Sequence, residues 1–212
     1  MYKAALFDLD GTLLDSAYVW SRVDEIFFER RSMSVPDDYA KAISGMGYAA
    51  TAVYTKERFA LPESPDEIAN EWTAIAMEEY ALHVPLKPGS RDVLEKLKES
   101  GVRMCVVTSN HRDLCAPCLT RLGILDYFEF LLTTDEAGSA TKRDGSVYAL
   151  AAERLGVNET DCAVFEDTFE GITGAKTRGM RVYCVIDPAT THKIDEIRLI
   201  ADGCDGGILN LI

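Results

Sequence analysis

Short apolar runs alternate with segments of helical period along most of the chain. The apolar runs, which predict buried strands, cover residues 4–7, 102–107, 128–132, 162–165 and 182–186. The segments of helical period cover residues 91–100, 112–122, 146–155 and 169–178, and each is followed by a glycine of the kind that ends helices. This alternation predicts an α/β protein with a Rossmann-like three-layer core, in which helices cover both faces of a parallel sheet.

One block departs from this alternation. Residues 15–86 contain no clear strand pattern and instead show four helical segments, at 17–31, 37–44, 50–59 and 65–83. The stretch VPLKPG that follows, with two prolines and a glycine, indicates a return to the sheet. We therefore expect a core made of residues 1–14 and 87–212, with a helical-bundle domain inserted at residues 15–86. Within the insert, we expect Trp20 to pack into the insert's own hydrophobic core, with stacking on a substrate as the alternative.

Composition and charge narrow the classes of partner. The 212 residues carry 35 acidic and 22 basic side chains, so the chain lacks the broad basic surface that binds nucleic acid or anionic membranes. The sequence has no signal-peptide layout, and no apolar run approaches the roughly 18 residues of a membrane span. We expect a cytoplasmic monomer.

The six cysteines lie at scattered positions, which is typical of reduced core thiols rather than of a disulfide framework. Cys115 and Cys118 have the C-x-x-C spacing of redox and zinc sites. They fall inside a predicted helix, without a thioredoxin-like context or a second pair at zinc spacing, so a structural role is favoured.

The stretch FDLDGT places two carboxylates directly after the first predicted strand. Because side chains alternate along a strand, Asp8 and Asp10 leave it on the same side, at the edge where open α/β sheets bind ligands. Two carboxylates this close repel each other, and a divalent cation combined with an acid–base role would satisfy both. The alternatives are an Asp-Gly turn and a calcium loop, but the calcium loop needs a third acid where this chain has Thr12.

Two further strands end in polar residues. The stretch MCVVTSN brings Thr108, Ser109 and Asn110 to a helix start, where hydroxyl and N–H groups bind anions, with ordinary helix capping as the alternative. The stretch AVFEDTFEG brings Glu166 and Asp167 to the same edge. Their oxygens suit Mg²⁺, and helix capping by Asp167 is again the alternative.

The order of these motifs resembles that of the haloacid dehalogenase superfamily, in the branch with a helical cap inserted after the first strand (subfamily I). The resemblance covers essentially the whole chain. DLDGT matches the first motif, Thr108 the second and Glu166-Asp167 the fourth. Lys142, which alone would be an ordinary solvated lysine, matches the third. The helical block at residues 15–86 falls where that family carries its cap.

The resemblance implies a role for each motif residue. Asp8 is expected to attack a phosphoryl group and carry it as an aspartyl phosphate, while Asp10 protonates the leaving alcohol and then activates water. A Mg²⁺ ion is expected to let anionic Asp8 approach the phosphate. The expected metal ligands are the Asp8 carboxylate, the Asp10 main-chain carbonyl, Asp167 and, through water, Glu166. The expected phosphate ligands are Thr108, Ser109, Asn110 and Lys142.

Position 10 discriminates within the superfamily, because its dehalogenases and phosphonate hydrolases lack an acid there. Asp10 therefore implies a phosphatase acting on a small phosphorylated metabolite, and DSAYVW resembles a stretch of some sugar-phosphate phosphatases. Two alternatives stay open. A β-phosphoglucomutase-like phosphomutase usually has a histidine where this chain has Trp20, and an arginine that GMGYAATAVY lacks. A non-catalytic, receiver-like phospho-acceptor has no cap of this size.

Overall fold

The computed structural model of the protein describes residues 2–188 and 191–212. Within these residues the strands are β1 (Ala4–Phe7), β2 (Arg103–Thr108), β3 (Leu131–Thr133), β4 (Cys162–Glu166), β5 (Arg181–Val185) and β6 (Gly203–Asp205). The helices are α1 (Val19–Glu29), α2 (Tyr39–Ile43), α3 (Tyr48–Phe59), α4 (Pro65–Leu82), α5 (Ser90–Glu99), α6 (Arg112–Arg121), α7 (Ser146–Arg154), α8 (Phe169–Thr177) and α9 (Ile194–Ile200). None of these described helices is both long and apolar enough to span a membrane. The chain divides into a helical unit, Tyr18–His83, and a sheet unit formed by the segments on either side of it.

The sheet unit contains a parallel sheet with the strand order β3-β2-β1-β4-β5-β6. Helices lie on both sides of the sheet, so the predicted α/β fold class is confirmed. All of β1 is buried, and Phe7 stacks on Phe165 of β4 with ring centroids 4.7 Å apart. A strand covered on both faces needs apolar side chains on both, which explains why the central strands stand out as continuous apolar runs.

Two strands differ from the sequence-based expectation. The third begins at Leu131 rather than at residue 128, and it follows a 3-10 turn at Leu125–Tyr127. The main-chain N–H of Phe128 closes this turn by donating to the Leu125 carbonyl (3.1 Å). β6 escapes prediction because its three residues are only half-buried and contain no apolar run.

The helical unit is built around an aromatic core. Phe28 meets Tyr39 and Phe59 edge-on at centroid separations of 5.1 and 4.8 Å, and Phe27 meets Trp72 at 5.5 Å. Such edge-to-face pairs add to the stabilisation from burial of the rings. The limits of this unit lie inside the 15–86 span expected for the inserted domain, and its action as a cap stays a prediction.

Trp20 does not join that core. Its side chain is 49% exposed and stands edge-on to Tyr48 at 5.8 Å. The buried positions of α1 include Val19, Val23 and Phe27, which recur every four residues. Trp20 is displaced from this stripe by one residue, or about 100° around the helix axis. The expectation that Trp20 packs into the core is therefore wrong.

Cys115 and Cys118 lie buried in α6 and are free thiols. Burial raises the pKa of both thiols, which keeps them protonated and poorly nucleophilic. Both side chains contribute to the apolar core, in line with the structural role favoured from the sequence.

Candidate active site

The carboxyl ends of three neighbouring strands meet at one edge of the sheet. Asp8 follows β1, Thr108 ends β2, and Glu166 ends β4 with Asp167 directly after it. In this strand order the chain runs outward from β1 to β3 on one side and from β4 to β6 on the other. The crevice beside such a change of direction is where open α/β sheets bind ligands.

Lys142 lies inside this cluster rather than at the surface. Its ammonium group donates to Asp8 Oδ1 and, at 2.6 Å, to Glu166 Oε1. The side chains of the three residues are 12%, 7% and 0% exposed, respectively. Lys142 is therefore buried and paired, and its interpretation as a solvated lysine is wrong. A lysine this buried requires charged partners, which Asp8 and Glu166 provide.

The turn before α7 holds the main chain of Lys142 in place. Asp144 accepts hydrogen bonds from the N–H (2.9 Å) and hydroxyl (2.6 Å) of Ser146, and the Ser146 hydroxyl accepts from the Thr141 N–H at 2.8 Å. Gly174 of α8 packs so closely on the Lys142 carbonyl that a Cβ at that position would clash with it. The Lys142 side chain thus extends from a fixed base.

Glu166 is buried and fully engaged by protein donors. Its Oε1 accepts from Lys142 and from the Tyr148 hydroxyl (3.0 Å), and its Oε2 accepts from the N–H (2.7 Å) and hydroxyl (2.8 Å) of Thr168. Although burial acts in the opposite direction, Lys142 and Thr168 hold the pKa of Glu166 below its usual range. Thr168, rather than Asp167, also caps α8 by accepting from the Gly171 N–H at 3.2 Å.

Asp8 and Asp167 have the opposite character. Asp8 Oδ2 and Asp167 Oδ1 are buried and accept no hydrogen bond from any residue that the structure describes. Burial raises the pKa of Asp8 despite Lys142, and burial together with the charges of Asp8 and Glu166 raises the pKa of Asp167. Ligand atoms of Asp8, Glu166 and Asp167 all lie within 4.8 Å of one another. Hard carboxylate oxygens with excess negative charge fit a divalent cation such as Mg²⁺.

Asp10 belongs to the same edge but has different partners. The Ser16 hydroxyl donates to its Oδ1 at 2.7 Å, and the Asn110 side-chain amide donates to its Oδ2 at 3.1 Å. Asn110 also donates its main-chain N–H to Thr108 Oγ1 at 3.1 Å, while Ser109 is exposed. Asn110 is one of the three residues on this loop that the sequence predicts as phosphate ligands. Its side chain instead binds Asp10, the residue expected to act as acid and base.

The sequence did not point to several residues that surround the site. Ser16 and Tyr148 orient Asp10 and Glu166, and neither carries a local motif that would single it out. Asp187 is 1% exposed and follows β5 at the same edge, where Lys87 pairs with it at 2.7 Å. The strand-end argument that identified Glu166 could also have identified Asp187, because Asp187 follows the apolar run at residues 182–186.

Gly11 makes room for these acids directly after Asp10. Its φ of +80° lies in the left-handed region that favours glycine, and a Cβ there would stand 2.5 Å from Asp167 Oδ2. The DGT turn therefore depends on glycine both for its backbone conformation and for the space beside Asp167.

Comparisons with known proteins identify the family. The profile of the haloacid dehalogenase-like hydrolases matches residues 2–179. Validoxylamine A 7'-phosphate phosphatase of Streptomyces hygroscopicus subsp. limoneus is 33% identical over 93% of this chain and 90% of its own length. Phosphorylated carbohydrates phosphatase of Thermotoga maritima is 27% identical, with 87% and 85% covered, and hexitol phosphatase A of Escherichia coli is 28% identical, with 93% and 89% covered.

Solved structures show the same fold. A candidate β-phosphoglucomutase of Thermotoga maritima superposes with a TM-score of 0.87 at 24% identity, covering 99% of this chain and 97% of that one. CbbY of Rhodobacter sphaeroides, in complex with phosphate, gives 0.77 at 22% identity, with 100% and 96% covered. The chain therefore belongs to the haloacid dehalogenase-like hydrolases, in the subfamily I branch of phosphoric monoester hydrolases.

Proposed function

We propose that this hydrolase is a Mg²⁺-dependent phosphatase that cleaves a small phosphorylated metabolite through an aspartyl phosphate on Asp8. The observation that carries the proposal is the unequal pairing of the two Asp8 oxygens. Oδ1 is held by Lys142, whereas Oδ2 is buried without a donor among the described residues. A nucleophile oriented through one oxygen keeps the other available for attack on phosphorus.

Asp8, Asp167 and the main-chain carbonyl of Asp10 are the groups that would hold the Mg²⁺ ion. When bound, the ion supplies positive charge that offsets the carboxylates and the phosphate. Glu166 is the outer member of this set, because both of its oxygens already accept hydrogen bonds from protein groups. In this proposal Glu166 holds Lys142 in position and accepts a hydrogen bond from metal-bound water.

In the first half-reaction, Asp8 Oδ2 attacks phosphorus and the bond between phosphorus and the ester oxygen breaks. Asp10 gives its proton to the departing alkoxide, and the hydrogen bonds from Ser16 and Asn110 fix the orientation of Asp10. In the second half-reaction, water attacks phosphorus, Asp10 takes its proton, and the bond from Asp8 to phosphorus breaks to release phosphate. Lys142 offsets the negative charge that develops on the oxygens.

The substrate class and the role of the helical unit rest on the relatives and on the family. The names of the three relatives specify a phosphorylated validoxylamine, phosphorylated carbohydrates and hexitol, and we propose a sugar or polyol phosphate for this enzyme. We also propose that residues 15–86 act as a cap that excludes bulk water and selects the substrate. The cytoplasmic location and monomeric state expected from the sequence remain predictions.

A phosphomutase activity is not favoured. The curated relatives described above are phosphatases. The similarity to the candidate β-phosphoglucomutase structure, at 24% identity, concerns the fold. Trp20 also occupies the position where mutases of this family usually carry a histidine.

The proposal is tested by incubating the purified enzyme with hexose, hexitol and nucleoside phosphates, with Mg²⁺ or with EDTA. Variants Asp8→Asn and Asp10→Asn are compared with Asp202→Asn, a matched change at an acid that pairs with Lys176 outside the site. We expect Mg²⁺-dependent phosphate release from the wild type and Asp202→Asn, and loss of release in Asp8→Asn. A single turnover in ¹⁸O-water should place the label in the released phosphate and none in Asp8, because water attacks phosphorus.

Other outcomes would contradict the proposal. Phosphate release that survives Asp8→Asn would remove Asp8 as the nucleophile. Conversion of glucose 1-phosphate to glucose 6-phosphate without free phosphate would identify a phosphomutase. Stable uptake of phosphate from a small donor, without turnover, would identify a receiver-like protein.

A further inference from the structure

A buried ion pair lies beside the candidate metal ligands without taking part in the proposed reaction. Lys87 Nζ donates to Asp187 Oδ2 at 2.7 Å, and the two side chains are 11% and 2% exposed. Transfer of two charges from water into a protein costs about as much as their attraction returns, so such a pair is weak support for a purely stabilising role. Its position relative to the site is more informative.

Gly11 provides a reference point for that position. The point that a Cβ on Gly11 would occupy lies 2.9 Å from Asp167 Cγ and 3.2 Å from Asp187 Cγ. The two carboxylates therefore flank the same small space next to the DLDGT turn. Atoms of Asp167 and Asp187, and none of Lys87, are the three nearest to this point. The ion pair thus presents its negative end to the metal ligands.

Lys87 is fixed at both ends. Its main-chain N–H donates to the Leu13 carbonyl at 2.9 Å, and the Ser90 hydroxyl donates to the same carbonyl at 3.0 Å. Leu86 forms a β-bridge with Leu14, just beyond the DLDGT turn. Since the base of Lys87 is attached to the segment that carries Asp8 and Asp10, its ammonium group holds Asp187 in a set position relative to them.

The cation site itself has independent support, because Asp167 Oδ1 is buried and lacks a donor among the described residues, and ligand atoms of Asp8, Glu166 and Asp167 lie within 4.8 Å of one another. We propose that Asp187, positioned by Lys87, is an outer acid of this centre that raises its affinity for Mg²⁺. Asp187 would act through its charge and through a hydrogen bond from metal-bound water, not as a direct ligand. Groups in this outer position typically change metal affinity about 10–100-fold.

This inference rests on the proposed function and is tested by direct binding. Mg²⁺ is titrated calorimetrically into the EDTA-treated, dialysed 212-residue enzyme, and Mn²⁺ binding is followed by electron paramagnetic resonance. Asp187→Asn keeps the shape and an acceptor for Lys87 but removes the charge. We expect its dissociation constant for Mg²⁺ to rise about tenfold. The matched variant Asp202→Asn, whose acid also pairs with a lysine (2.9 Å), should bind as the wild type does.

A second readout separates this role from a merely structural one. The loss of phosphatase activity in Asp187→Asn should be recovered by about tenfold more Mg²⁺. A variant damaged in its packing would not recover. Suppose that the wild type binds Mg²⁺ and that its phosphatase activity depends on Asp8. If Asp187→Asn then binds Mg²⁺ as tightly as the wild type, the role of Asp187 is overturned and the proposed function is not. A wild type that binds neither Mg²⁺ nor Mn²⁺ would overturn the inference and the metal dependence of the proposed function together.

Discussion

The two units of this protein each enclose a cluster of charges, and the clusters are built on opposite principles. In the helical unit, Arg31 is 14% exposed and pairs with Glu63 and Glu71, both at 2.7 Å, while Arg30 pairs with Glu71 at 3.0 Å. Two cations face two acids. In the sheet unit, Lys142 faces Asp8, Glu166 and Asp167, so that one cation faces three acids.

The protonation behaviour of the acids follows from this difference. Against the opposing effect of burial, Arg31 and Arg30 hold the pKa of Glu71 below its usual range. In the sheet unit, burial and neighbouring acids raise the pKa of Asp167 and Asp8. A balanced cluster supports the fold, whereas a cluster with excess acid destabilises it until a cation binds. The imbalance is therefore a physical mark of the functional site.

The largest effect that would test this contrast is on catalysis. Lys142→Met removes the group that orients Asp8, and we expect phosphate release at saturating Mg²⁺ to fall about 10³-fold. Lys176→Met, which removes a lysine paired with Asp202 at the surface, should leave the rate unchanged. Rates are measured by phosphate release on the best substrate of the panel. A Lys142→Met enzyme within a few-fold of the wild type would show that this lysine is structural.

The matching change in the helical unit should act on stability. Arg31→Met leaves Glu63 and Glu71 without their shared cation, and we expect the free energy of unfolding to fall by about 2–3 kcal/mol. Arg22→Met removes an exposed partner of Glu25, with Glu79 at 3.9 Å as its second acid, and should have a much smaller effect. Urea denaturation measures both values. Equal effects of the two variants would contradict a special role for the Arg31 cluster.

The sequence was sufficient for the fold class and for the three strand-end motifs, because the carboxyl ends of parallel strands converge whatever the details of packing. It did not reveal which partner each polar side chain takes. Lys87 and Asp187 are 100 residues apart, and Asn110 selects Asp10 through a contact across the sheet edge. Only the folded chain brings these groups together. Trp20 shows a further limit, since a shift of one residue along a helix decides between core and surface.

The excess of acid in the sheet unit also predicts a dependence of stability on pH. The pKa of Asp167 rises from 3.8 to about 9, so the folded metal-free protein binds more protons than the unfolded chain within this window. The groups responsible besides burial are Asp8, Glu166 and Asp187, with Lys142 opposing them. The contribution of Asp167 to stability is therefore fully present below about pH 4, and it is lost as the pH rises toward 9.

Thermal unfolding of the EDTA-treated enzyme between about pH 5 and pH 9 measures this loss. One group contributes at most about 1.4 kcal/mol per pH unit. Saturating Mg²⁺ should flatten the dependence, because the cation replaces the proton among the carboxylates. A melting temperature that rises with pH in the absence of metal would contradict the proposed imbalance.

The smallest effect gives the sharpest contrast, because the two clusters should respond with opposite signs. Asp167→Asn removes a carboxyl that must take up a proton when the metal-free chain folds, and in EDTA at about pH 8 it should stabilise the fold by at least about 1 kcal/mol. Glu71→Gln removes a charge that Arg30 and Arg31 require, and it should destabilise the fold by about 1 kcal/mol. Both changes nearly preserve side-chain shape, so packing is matched. Urea denaturation of the two variants beside the wild type measures the difference, and changes of the same sign would show that the two clusters do not differ in charge balance.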